Sequence, residues 1–213
     1  MRRLLIVGAW WLLVGVGAAP PAPPLDVLLA QVEARTVAAS DIALARAMGV
    51  LGFTPSPGPI ERGDIERFVD ALLIVEEAGR IGLAVDEADA ERAWAVVAAR
   101  VGSVTTLERW LEAHHIDPAW ARRLVEADVL RTRFFDARFA AFVFVGDEEI
   151  ARVLGAGPHD ETERERTREQ LARAAAEKAQ AEWLVAARRR ARIRILLPEG
   201  HSVEAPFPPP PAP

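Results

Sequence analysis

From about Glu161 to Arg192 the chain contains neither proline nor glycine, and alanine, glutamate and arginine dominate. These residues are strong helix formers, so the run predicts one unbroken helix of roughly 45 Å at 1.5 Å per residue. A helix of that length needs an apolar partner, and the expected contact stripe is Leu171, Ala174, Ala181, Leu184 and Val185. Glu165 with Arg168 and Glu169 with Arg173 stand at pairing distance on its exposed side. Directly afterwards, Arg192-Ile193-Arg194-Ile195 switches to a period of two. That pattern predicts a short strand with Ile193 and Ile195 facing inward, whose plausible neighbours lie at the other end of the chain.

There, Leu28, Leu29 and Val32 read as one short strand and Thr36-Val37-Ala38 as a second, with a turn at Glu33-Ala34-Arg35. Ser40-Asp41 is a helix-start signal ahead of Ile42, Leu44 and Met48, and Gly52 with the Pro55-Ser56-Pro57-Gly58 cluster ends that helix. Ile65, Phe68, Val69, Leu72, Val75 and Ala78 recur at three- and four-residue steps, an amphipathic helix weakened at Gly79 and Gly82. Asp86 caps a helix bearing Ala90, Trp94, Val97 and Val101, and Gly102-Ser103 separates it from one with Leu107, Trp110, Leu111 and His114. Asp117-Pro118 starts the stripe Trp120, Leu124, Ala127, Leu130, Phe134 and Ala137, because Asp caps and Pro suits the first helical position. Phe142 to Val145 reads as extended, Asp147 to Ile150 as a brief helical turn ending at Gly155, and Gly155 to Pro158 as a linker.

Residues 1–18 have the grammar of a secretory signal: Met1-Arg2-Arg3, an apolar run through Trp10, Trp11, Leu12 and Leu13, and small residues at Val16-Gly17-Ala18. Leu4 to Ala19 as a helix reaches about 24 Å, short of the ~30 Å hydrocarbon core of a bilayer. The expected location is therefore the periplasm, with cleavage before Ala19; an uncleaved anchor in the inner membrane is the alternative. Residues 19–24 form a proline-rich spacer, 25–197 the folded domain, and 198–213 a proline-rich tail expected to be disordered or polyproline-like. The absence of cysteine removes disulfides, thiol chemistry and a lipid-attached N-terminal cysteine. A formal charge of −5 argues against nucleic acid as a partner.

The order of these pieces resembles the N-terminal domain of the SurA family of bacterial periplasmic chaperones, the peptide-binding fold shared with trigger factor. The likeness rests on Ala39-Ser40-Asp41-Ile42 after the hairpin, Phe68-Val69-Asp70-Ala71-Leu72-Leu73, Glu77-Ala78-Gly79-Arg80-Ile81-Gly82-Leu83 and Val85-Asp86-Glu87-Ala88. Val143 to Ile150 resembles the segment leaving that domain, and Ala191 to Leu196 its closing strand. In members with isomerase activity a parvulin domain lies between the exit segment and the last long helix. Here only a short loop joins Ile150 to Glu161, so prolyl isomerisation is not implied. The resemblance implies a mainly helical peptide-binding domain with a small sheet made by the N-terminal hairpin and C-terminal strand. It also implies ATP-independent holding of unfolded or outer-membrane-bound polypeptides, with no cofactor.

No residue pattern argues for catalysis. His114-His115 with Asp117 lacks the convergent i, i+4 spacing of imidazole ligands, and His114 suits a helix C-terminus. Asp160 after His159 reads as a cap, and no nucleophile elbow accompanies the histidines. Gly15-Val16-Gly17 belongs to the signal and follows no strand. Arg188-Arg189-Arg190 complements a helix C-terminus; anionic lipid at the membrane periphery is the alternative reading. The aromatic group Phe135, Phe139, Phe142 and Phe144 cannot all face one core with Phe134, so these residues, with Trp110, are the candidate peptide-binding surface.

Overall fold

The computed structural model describes residues 26–155, 157 and 159–210, so the signal at 1–18 and the spacer at 19–24 lie outside the described residues. Strands β1 (Leu28–Val32) and β2 (Arg35–Ala38) form the expected hairpin, and β4 (Ile193–Ile195) adds to the other side of β1. Both pairings are antiparallel: Gln31 faces Thr36 on one side and Arg194 on the other. The β1–β2 register shifts between Leu28 and Ala30, which lets the adjacent Leu29 and Ala30 both be buried where strict alternation would expose one. Ala30 and Val32 oppose Ile195 and Ile193, so the two isoleucines pack against the core. Glu33, at φ 52° in the turn, locks the junction: its carboxylate accepts from the Arg192 backbone N–H at 2.9 Å and from Arg192 Nε at 3.1 Å. These bonds, the backbone one foremost, hold the Glu33 carboxyl below its ordinary pKa.

Helix α1 (Ala39–Met48) runs through the centre and is apolar nearly all round, as a core helix is. Its N-cap is Ala38, two residues before the expected Ser40; Asp41 accepts from the Ala38 N–H at 2.9 Å. It stops at Gly49 (φ 65°), ahead of the expected Gly52, because a left-handed residue is needed where Pro55 comes within 2.9 Å of a Cβ position. The buried Arg46 near its end donates Nη1 to the Pro59 carbonyl at 2.9 Å and Nη2 to that of Gly58, and pairs with Asp64 at 3.5 Å. A buried guanidinium without such partners would be costly, and these bonds fold the 49–59 loop back over α1.

Around α1 pack α2 (Arg62–Arg80), α3 (Glu87–Arg100), α4 (Val104–Ala113) and α5 (Pro118–Arg138). Asp86, Ser103 and Asp117 each accept a backbone N–H at the start of their helices. A single 3-10 turn (Ala140–Phe142) leads to α6 (Asp147–Leu154), a full helix where a brief turn was expected. Helix α7 (Glu161–Arg190) is the predicted long helix. Its contact face is displaced from the predicted stripe, since Ala174, Ala181 and Val185 are exposed while Thr167, Ala176 and Ala187 are buried and Trp183 half-buried. Arg173 pairs with Glu177 at 3.0 Å, not with Glu169, while the Glu165–Arg168 pair is present. Arg188 grips Asp70 of α2 with two bonds, 2.5 and 2.9 Å, fixing the C-terminal half of α7 on the body.

Over the described residues 198–210, the expectation of a disordered tail, and of a domain ending at 197, is corrected; residues 211–213 lie outside the described residues. Strand β5 (Ser202–Val203) pairs antiparallel with β3 (Ile60–Glu61), and Phe207 is buried in the core. The proline count hid one aromatic side chain with enough apolar surface to anchor the segment.

Two outcomes follow. Phe134→Ala should cost about 3–5 kcal/mol in denaturant unfolding, while Val185→Ala, although on the sequence-predicted stripe, should change stability by less than ~0.5 kcal/mol. Burial raises the Asp41 carboxyl above the ordinary aspartate value, with the Asp26 charge adding to it against the Ala38 N–H. A raised folded pKa means that the folded state binds this proton more tightly, so ionised Asp41 opposes folding at neutral pH and the penalty fades as pH falls through the folded value towards about 4. Asp41→Asn should therefore be more stable than the parent at pH 7, with the difference closing on acidification.

Candidate functional site

The C-terminal end of α5 meets the end of α2 and the middle of α7 in a second, smaller core built on Ile74, Ala78, Phe134, Phe139 and Ala176. Ala78 is fully buried just before α2 stops, and Gly82 (φ 83°) turns the chain so that Leu83 returns its N–H to the Ala78 carbonyl at 2.9 Å. The Phe134 ring meets Phe139 edge-on at 5.7 Å and Trp183 at 5.1 Å; Phe139 lies 6.3 Å from Trp183. Such offset and edge geometries add to burial energy.

This arrangement separates the five candidate residues. Phe139, at 7% exposure, is core, and so is Trp110, at 6%, which packs in the main core between α4 and the tail. Phe135 is half-buried, 6.1 Å from Phe139. Phe142 and Phe144 are 78% and 90% exposed. The cause is parity. From Phe142 the chain leaves the 3-10 turn in an extended conformation, and successive side chains alternate: Val143 is half-buried and Val145 buried, which throws both phenylalanines outward. Residues two apart on an extended chain lie about 7 Å apart on one side, so the rings form a paired projection whose backbone is pinned by inward neighbours.

Beyond the projection, Ile150 of α6 is fully buried, and Asp147 pairs with Arg164 at 3.4 Å and Arg168 at 3.3 Å, joining α6 to α7. The connection from Gly155 to Asp160 is short, as the sequence requires. Val153 on α6 is 59% exposed.

Sequence reasoning missed an open groove of about 410 Å³ between α3 and α5. Val97, Val125 and Val129 line its floor with Val50; Asp89, Arg92 and Arg133 stand at the rim. Asp89 binds both arginines, so the rim charges are mutually engaged. The signal was present in Val96 and Val129, apolar residues lying off the predicted stripes of their helices. His114 directs Nδ1 to the Trp110 carbonyl at 2.8 Å while His115 is exposed at φ 55°, so the two imidazoles diverge. Among the described residues no group of three His, Asp or Glu side chains stands together as a metal site would require. Among them, too, no helix is long and apolar enough to cross a membrane.

Placement predicts opposite responses to substitution. Phe142→Ser with Phe144→Ser should leave the melting temperature unchanged, within the ~0.5 kcal/mol expected at exposed positions. Phe139→Ala should cost about 3–5 kcal/mol. Thermal unfolding followed by circular dichroism separates the two.

A comparison with models of known protein families finds none that matches this chain, and none of the curated proteins matches it in sequence.

Proposed function

We propose that this protein is an ATP-independent, periplasmic chaperone-like module that holds unfolded or outer-membrane-bound polypeptides through an apolar surface, without a prolyl isomerase domain of its own. The observation that carries this reading is the outward pair Phe142 and Phe144, exposed on a segment whose backbone the core holds in place. A chain that exposes two adjacent rings exposes surface that water disfavours, and such surface on a soluble domain marks contact with another apolar body.

Magnitudes indicate the binding regime. Full burial of a phenylalanine side chain contributes about 1.5–3 kcal/mol, so the pair supplies about 3–6 kcal/mol at most. Ordering a flexible client offsets part of that gain, which leaves weak, rapidly reversible binding. Burial is non-directional, so the contact tolerates varied client sequences, as a holding activity requires. The valine-floored groove between α3 and α5 supports the same reading with a second apolar recess.

The test dilutes a denatured outer-membrane protein into buffer and follows light scattering. The parent chain should suppress aggregation at modest molar excess, and the Phe142→Ser, Phe144→Ser variant should lose most of that suppression while melting at the parent temperature. Equal suppression by parent and variant would reject the pair as the contact surface. No suppression by either would reject holding. Prolyl isomerisation of a test peptide should remain at the uncatalysed rate.

A further inference from the structure

After β5 the chain continues across the body as a strap that bends at Pro206 and Phe207. Among the described residues no hydrogen bond ties 204–210 to the rest of the protein, and Pro206, Pro208, Pro209 and Pro210 have no N–H to offer. Phe207 is the most deeply buried side chain of the strap, with Ala205 half-buried against the main core beside it. Phe207, at 8% exposure, enters a cradle whose walls are Trp110, edge-on at 5.7 Å, and His114 at 6.1 Å, between exposed Pro206 and Pro208. The two walls are joined to each other: the Trp110 and His114 rings lie 5.0 Å apart, tilted by 40°, and the His114 ring is held by its bond to the Trp110 carbonyl. Among the described residues the buried indole N–H of Trp110 has no hydrogen-bond partner. A cavity of about 260 Å³ remains beside the strap, bounded by Arg46 and Pro57 on the body and by Pro208 and Pro209 above.

An aromatic-walled recess with an unused indole donor, crossed by a proline-rich segment, is the chemistry by which proteins recognise extended peptides. We propose that the Trp110–His114 cradle is a binding site for an extended segment carrying an aromatic residue beside prolines. The chain's own Phe207 segment is its resident ligand, and a segment of the same chemistry from another polypeptide exchanges for it. Tethering gives the resident an effective concentration in the millimolar range, so a free competitor binds only when present in excess or when the resident is weakened. The strap thus sets a threshold for occupancy. The exchange itself does not depend on the holding reading; only the identification of the natural competitor as a client rests on it.

The experiment uses the full chain and a fluorophore-tagged synthetic peptide of residues 202–210, followed by anisotropy. Full chain with Phe207→Ala should bind the peptide at least tenfold more tightly than the parent. A peptide with alanine in place of its phenylalanine should not bind, and His114→Ala added to the Phe207→Ala chain should weaken binding. Equal affinity of parent and Phe207→Ala chains, or equal binding of the alanine peptide, overturns the proposal. A second measurement needs no destabilising substitution. In the parent chain labelled with 4-fluorophenylalanine, millimolar unlabelled peptide should move the Phe207 fluorine resonance to its solvent position; a resonance that stays in place also overturns it. Loss of exchange leaves holding through Phe142 and Phe144 standing, and loss of holding leaves exchange standing, so the two failures are distinguishable.

Discussion

The fold depends on β1 finding a partner on both sides. Its hairpin partner β2 is local, but an isolated two-stranded hairpin is marginal in water. The second partner, β4, comes from the far end of the chain, and the Glu33–Arg192 junction that closes it joins residues 159 positions apart. Closure brings Ile193 and Ile195 beside Val32 and Ala30, and it can occur only because α7 returns along α2. Trp183 against Phe134 and Phe139, and Arg188 on Asp70, fix that return path. The central helix α1, apolar nearly all round, lies in the same core as Ala187, Ile193 and Ile195 from these distant parts.

How much of this was legible follows from which signals are local. The helices α2, α3 and α5 carry their boundaries in short-range chemistry: stripes at helical spacing, Asp86 and Asp117 as caps, Gly82 as a stop. The sheet joining the hairpin to the terminal strand was legible from the change of period at Ile193 and Ile195. The contact face of α7 was not. An alanine-rich helix offers several nearly equivalent faces, and tertiary contacts at Ala176, Trp183, Leu184 and Ala187 choose one that leaves Ala174, Ala181 and Val185 exposed. The expected coarse architecture, a mainly helical body with a small sheet, is present.

At the candidate site the sequence identified a cluster but not its polarity. Five aromatic residues were picked out, and packing divided them: Trp110 and Phe139 inward, Phe135 at the boundary, Phe142 and Phe144 outward. In an extended passage with apolar residues at every position, alternation requires that some face water but does not say which parity. Val145, two residues before the start of α6, and Phe139, the last before the 3-10 turn, decide it by anchoring both ends. The tail was misread for a related reason. Composition weights the prolines, whereas Phe207 and the two-residue β5 pairing fix the segment's course.

A domain closed by its own C-terminal quarter can display apolar surface without losing its core, because the rings that project are not the rings that pack. That claim is tested most directly by removing the closure. A chain ending at Gly157 lacks α7, β4 and the strap; its circular-dichroism melt should lose the sharp cooperative transition of the full chain, and a separate peptide from Asp160 to Leu196 should restore it at least in part. A truncated chain that melts as sharply and at the same temperature as the full one would contradict the shared core, and with it the account of why Phe142 and Phe144 are held outward.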